Sequence, residues 1–120
     1  MRVYSIAESL IAWLGDNGHA AYHIAPPAED APTEFVTVER TGGYVADKID
    51  HPSVAIQCWA ATDTAANNLA ITIRNLVELG GRPEGVSHMA INSGPYAFYD
   101  EETRMPRYQL YVDIACQLTD

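Results

Sequence analysis

The sequence predicts one α+β domain over residues 1–120, a two-layer sandwich with two helices packed on one face of a largely antiparallel sheet, in the order α-β-β-β-α-β-β. Three observations predict it. Two segments carry apolar residues at helical spacing behind capping residues, several others alternate apolar and polar residues at strand period, and Gly- or Pro-containing breaks separate them. A chain of 120 residues buries roughly two-thirds of its unfolded surface, enough for one core.

The first helix is expected to start at Ser5, because Ser5 and Glu8 form the pattern in which hydroxyl and carboxylate satisfy free backbone amides at a helix start. Ile6, Leu10, Trp13 and Leu14 make its apolar face, and residues 15–18, Gly-Asp-Asn-Gly, end it. A short strand is expected over 20–25. Pro26, Pro27 and Pro32 then mark a connection, since proline cannot donate a ladder hydrogen bond. Phe35 to Arg40 has strand composition, Thr41-Gly42-Gly43 breaks it, and residues 42–52 read as a polar loop with little apolar surface of its own, mobile in a free subunit. Ser53 to Ala60 alternates, with Val54, Ile56 and Cys58 facing the core and Ser53, Gln57 and an exposed Trp59 facing away.

Thr62 caps the second helix, Asp63 favours its first turn, and Ala66, Leu69, Ile73, Leu76 and Val77 form its buried stripe before Gly80, Gly81 and Pro83 stop it. The C-terminal third reads as a hairpin: 86–92 continuing past Gly94-Pro95 to Tyr99, a polar connection over 100–106, then 108–118. In the last strand Leu110, Val112, Ile114, Cys116 and Leu118 share one face, and Gln109, Tyr111, Asp113 and Gln117 the other. The face away from the helices therefore carries Trp59, Tyr111, Gln57, Gln109 and Asp113, a mixture suited to protein contact.

Acidic residues outnumber basic ones 16 to 7, a formal charge of −9, and Lys48 is the single lysine among scattered arginines. Affinity that comes from neutralising phosphates needs clustered cations, so tight binding to DNA or an anionic membrane surface is not expected. Glu8 and Ser9 interrupt the apolar N-terminal stretch, so no secretory signal is expected, and no run reaches the roughly 18 apolar residues of a membrane span. Cys58 and Cys116 continue the apolar parity of their strands and are expected to be buried and reduced, as in a cytoplasmic protein.

No spacing points to catalysis, a cofactor or a metal. His19 and His23 lie four apart, but at a strand entry, where that interval does not align two ligands. His51 and His88 read as surface or packing residues. Asp100-Glu101-Glu102 lacks the alternating oxygen ligands of a calcium loop, and neither Cys58 nor Ser87 with His88 stands out as a nucleophile and base. Gly42-Gly43 and Gly80-Gly81 belong to no phosphate-binding pattern. The remaining concentration of contact-type residues is Tyr96, Phe98, Tyr99, Arg107 and Tyr108 around an acidic hairpin tip.

The run FVTVERTGG at 35–43, a strand ending near Trp59-Ala60, a helix, then Gly94-Pro95-Tyr96 and the run PRYQL at 106–110 resemble, in this order, the tail-terminator proteins of long-tailed actinobacteriophages. The resemblance spans nearly the whole chain. It implies a non-enzymatic virion subunit that forms a hexameric ring on the head-proximal end of the tail tube, stops tube growth and offers a docking surface for the DNA-filled head. The implied partners are further copies of the chain, the major tail tube protein and head-to-tail connector proteins, with DNA passing the lumen without specific binding. Candidate interface residues are Arg40, Thr41, Gly42, Gly43, Trp59, Tyr96, Phe98, Tyr99, Arg107, Tyr108 and Tyr111. The competing readings are another head-to-tail connector component, a cellular adaptor or ligand-binding α+β module, and a small hydrolase using Cys58 or a His-carboxylate pair.

Overall fold

The computed structural model describes residues 5–27, 29–99, 101–102 and 104–117. Helix α1 spans Ile6–Asp16, and the Ser5 hydroxyl accepts a hydrogen bond from the Glu8 amide at 3.4 Å, the expected N-cap. Its C-cap is Asn17, whose side chain donates to the Trp13 carbonyl at 2.8 Å. Strand β1 is only Ala21–Tyr22, shorter than the expected 20–25. Ile24 points into solvent beyond it, and Pro26 has no N–H with which to extend a ladder.

Strands β2 (Glu34–Ala46) and β3 (Ile49–Ala60) correct the reading of residues 42–52 as a loop. These residues form the distal half of a long hairpin, in which Gly43, Tyr44, Val45 and Ala46 pair with Pro52, His51, Asp50 and Ile49. Two features escaped the breaker rule. Gly42 follows a bulge after Arg40 rather than a strand end, and Gly43, at φ +120°, sits where any Cβ would collide with the His51 carbonyl oxygen. Asp47 and Lys48 then close the hairpin with φ of 53° and 65°, the left-handed pair that a two-residue turn between twisted strands requires.

Helix α2 (Asp63–Leu79) is capped by the Thr62 hydroxyl, which accepts from the Ala65 amide at 3.1 Å. Strands β4 (Val86–Ala97) and β5 (Arg107–Gln117) complete the sheet in the order β1-β2-β3-β5-β4. Among the described residues only the β1–β2 pair is parallel. Leu118, Asp100 and Thr103, assigned above to the last strand and the hairpin connection, lie outside the described residues.

Both helices cover the same sheet face, as expected. The core joins Ile6, Leu10, Trp13 and Leu14 of α1 and Leu69, Ala70, Ile73 and Val77 of α2 to Val36, Val38, Val54, Ile56, Cys58, Met89, Leu110, Val112, Ile114 and Cys116 of the sheet. The register explains the face: Val38 lies opposite Ile56, which lies opposite Leu110, and the neighbouring row is Val54, Val112, Ile91. Each fully buried Leu or Ile there contributes about 1.5–3 kcal/mol of transfer free energy.

Candidate interaction surface

On the sheet face away from the helices, strand parity and register assemble ordered rows across the strands. One row is aromatic, with Phe35, Trp59 and Arg107 in register on β2, β3 and β5. The Phe35 and Trp59 rings stack at 5.4 Å with planes 13° apart, and Tyr22 meets Phe35 edge-on. The Arg107 guanidinium lies 4.8 Å from the Trp59 ring centre and 4.2 Å from that of Phe98, and its Nε donates to the Phe98 carbonyl at 2.8 Å.

This arrangement corrects the expectation of an exposed Trp59, which is 5% accessible. Sequence alternation gives the face on which a side chain stands, but not whether a neighbouring strand's long side chain lies over it. Arg107 does so here.

The adjacent row is polar and continuous. Trp59 Nε1 donates to the Thr37 hydroxyl at 3.0 Å, Thr37 donates to Gln57 Oε1 at 2.6 Å, Gln57 Nε2 to Gln109 Oε1 at 2.8 Å, and Gln109 Nε2 to the Tyr96 hydroxyl at 2.9 Å. Each side chain comes from a residue in cross-strand register with the next, apart from the Trp59 entry. Thr37 and Gln109 are buried, and both are satisfied by this chain of bonds. Beyond it Tyr111 stands beside Tyr96, with ring centres 6.2 Å apart, and the neighbouring Tyr96 phenol raises the Tyr111 pKa. The ladder was not foreseen, although the matching parity of Thr37, Gln57 and Gln109 was visible in the alternation.

Of the other candidate residues, Tyr108 is occupied within the subunit: its hydroxyl donates to the Asp63 carboxylate at the start of α2, and its pKa is raised by desolvation and by that bond. Arg40, Thr41, Gly42 and Gly43 form the neck of the β2–β3 arm. Arg40 pairs in bidentate fashion with Asp50 at 2.8 and 2.9 Å and donates from Nε to the Gly42 carbonyl, while Thr41 donates to the Ser53 carbonyl. These bonds tie the two strands of the neck to each other, and all four residues are exposed.

The exposed apolar side chains gather at two ends. At the arm, Tyr44 is 63% and Val45 56% accessible, with Ile49 beside them and the Tyr44 ring stacked on His51 at 4.7 Å. At the β4–β5 end, Tyr96, Phe98 and Tyr99 are exposed, Tyr99 to 61%. Because β2 and β5 run away from the β4–β5 tip while β3 and β4 run toward it, the two groups lie at opposite ends of the strands. Ile24 and Leu79 are isolated exposed residues of the ordinary kind.

An open depression of about 320 Å³ beside the arm is lined by Ile49, Gly85, Val86, Ser87, Cys116 and Gln117, and the Ser87 hydroxyl is already donated to the Ala115 carbonyl. Burial pushes the Cys58 thiol up to about 12 and raises Cys116 as well, the opposite of what a thiolate nucleophile needs. Both thiols are free and buried, as their strand parity predicted. Among the described residues no group of three or more His, Cys, Asp or Glu side chains is placed to hold a metal ion, and no helix is long and apolar enough to cross a membrane. No protein-family model matches the chain, and no curated protein has a significantly similar sequence.

Proposed function

We propose that the chain is a structural assembly subunit, and specifically that it forms a ring, six copies in the reading taken from the sequence resemblance, on the head-proximal end of a phage tail tube. The observation that carries the assembly part is the pair of exposed aromatic-aliphatic patches at opposite ends of one rigid sheet. A subunit of a closed ring needs two separate contact surfaces, and large exposed rings with polar tips suit such contacts. The tail-tube assignment rests on the ordered motifs at 35–43, 94–96 and 106–110. The charge of −9 agrees with it, since a lumen poor in cations lets DNA slide past without trapping phosphates.

The test is to image tail tubes polymerised with and without the purified protein by negative stain. Tubes of limited length carrying a ring at one end support the reading. Tubes of uncontrolled length with no ring, at protein concentrations where the chain itself assembles, sink the tail-terminator assignment. Rings that bind head-side connector components and ignore tubes transfer the protein to the connector class.

A further inference from the structure

We propose that Glu78 guards the free edge of the sheet: its carboxylate occupies the outward backbone amide of Ile91 and keeps β4 from pairing with β4 of a second copy. The guard is independent of the tail assignment.

β4 is the outermost strand at the end of the sheet away from β1, and β5 is its one strand neighbour among the described residues. A long edge strand offers a row of backbone donors and acceptors to any extended chain, so folded proteins keep such edges irregular or covered. Most of β4 is irregular. Its pairing with β5 shifts between Val86 and His88, between Ile91 and Ser93 and between Ser93 and Tyr96, and Pro95 has no N–H to offer. His88 to Ile91 is its longest run in unbroken register, opposite Ala115, Ile114, Asp113 and Val112.

Backbone groups alternate along an antiparallel strand, both turned to the neighbour at one residue and both turned away at the next. Ile91 is turned away, since its N–H donates to the α2 side chain Glu78, at 2.9 Å to Oε1. Met89, two positions earlier in the same register, faces the same way. The run of β4 regular enough to receive another strand is therefore the run on which a carboxylate sits.

The helix alone does not account for a glutamate at this position. Glu78 stands in the last turn of α2, where the exposed carbonyls disfavour an anion. Arg74, one turn earlier at the spacing of a surface ion pair, gives its guanidinium to the Asn75 side chain. An incoming strand would take the Ile91 N–H with a carbonyl oxygen, and that oxygen would meet the carboxylate unless the carboxylate gave up its bond. The strand excluded is β4 of a second copy, because a two-fold axis sets the same run of two copies antiparallel and face to face with no further complementarity required. Such pairing would fuse two five-stranded sheets into one and compete with every other contact of the subunit.

The experiment reads amide exchange and sedimentation velocity on the whole chain, with circular dichroism to confirm folding. In the wild-type chain, diluted until it sediments as a monomer, the Ile91 amide should exchange at least about tenfold more slowly than that of Met89. Glu78→Ala should abolish that difference and lower the half-association concentration at least about tenfold, with both amides gaining protection as concentration rises. Glu78→Gln, whose carboxamide oxygen accepts the same N–H, should stay close to wild type. Ile91→Pro in the Glu78→Ala chain, which removes the outward N–H and no bond to β5, should reverse the association.

An Ile91 amide that exchanges as fast as that of Met89 in the wild-type monomer overturns the proposal without recourse to any variant. So does a Glu78→Ala chain that sediments like wild type up to roughly millimolar concentration. A Glu78→Gln chain that associates as strongly as Glu78→Ala, or an association that Ile91→Pro leaves intact, overturns it as well. Protection of both amides by self-association of the wild type would show the edge in use and overturn it too. Tube capping is read separately and tests the tail assignment alone.

Discussion

Thr37 holds two buried partners at once, accepting from Trp59 Nε1 and donating to Gln57. Thr37→Val keeps the shape and removes both bonds, leaving a buried indole N–H without an acceptor. The expected loss is about 1–3 kcal/mol in urea unfolding, with little change in the slope of the transition. Arg107 is engaged with Trp59 and Phe98 inside the subunit. Its truncation therefore tests folding before it tests assembly: Arg107→Ala should cost about 1–2 kcal/mol and raise the accessibility of Trp59 to a fluorescence quencher, while Arg107→Lys, charged but not planar, should recover only part. Cys58 sets an alkaline limit. Its thiol stays protonated in the fold up to about 12, whereas in the unfolded chain it ionises around its ordinary value of 9.0. The unfolded state thus binds fewer protons between these values, and stability is present below the lower one and lost as pH rises toward the higher. Cys58→Ala should flatten the decline measured by denaturation across that window, and an unchanged slope would place its cause elsewhere.

At the scale of elements the arm is the instructive case. Its backbone is ladder-paired, so its amides should exchange slowly in the free subunit, contrary to the mobility expected of a polar loop. Gly43→Ala places a Cβ against the His51 carbonyl at a φ that only glycine adopts easily. It should cost at least about 2 kcal/mol and speed exchange at Tyr44 to Ala46 more than in β5. The helices and the core face were legible in the sequence because they follow from periodicity: Ser5 and Thr62 cap where the pattern begins, and Val54, Ile56 and Cys58 share parity. The arm was not, because Gly42 and Gly43 carry the same letters in a bulge as in a break, and only the partner strand tells them apart. The buried state of Trp59 was illegible for a related reason. It depends on Arg107, nearly fifty positions away, reaching across a strand pair whose register alternation alone leaves open.

For the molecule as a whole, one side of the sheet is sealed by two helices while the other is organised by hydrogen bonds, and the two sides differ in what they can specify. Apolar parity forbids a slip of one residue between β3 and β5, since that would turn every side chain to the wrong face. A slip of two is another matter: Val54, Ile56 and Cys58 would still meet Val112, Leu110, Ile114 or Tyr108, and the core would hardly register the change. The row from Thr37 through Gln57 and Gln109 to Tyr96 does register it, because those amides bond only when they stand opposite one another. Its consequence is a proofreading of alignment that the hydrophobic layer cannot perform. Replacing Gln57 and Gln109 together by valine should therefore leave a cooperatively folded protein that is less stable by about 1–3 kcal/mol, because the buried Thr37 hydroxyl loses its acceptor. It should also split the amide resonances of β3 and β5 into two slowly exchanging sets, one for each alignment. A single set of resonances in that double variant would mean that turns and bulges alone hold the strands in step.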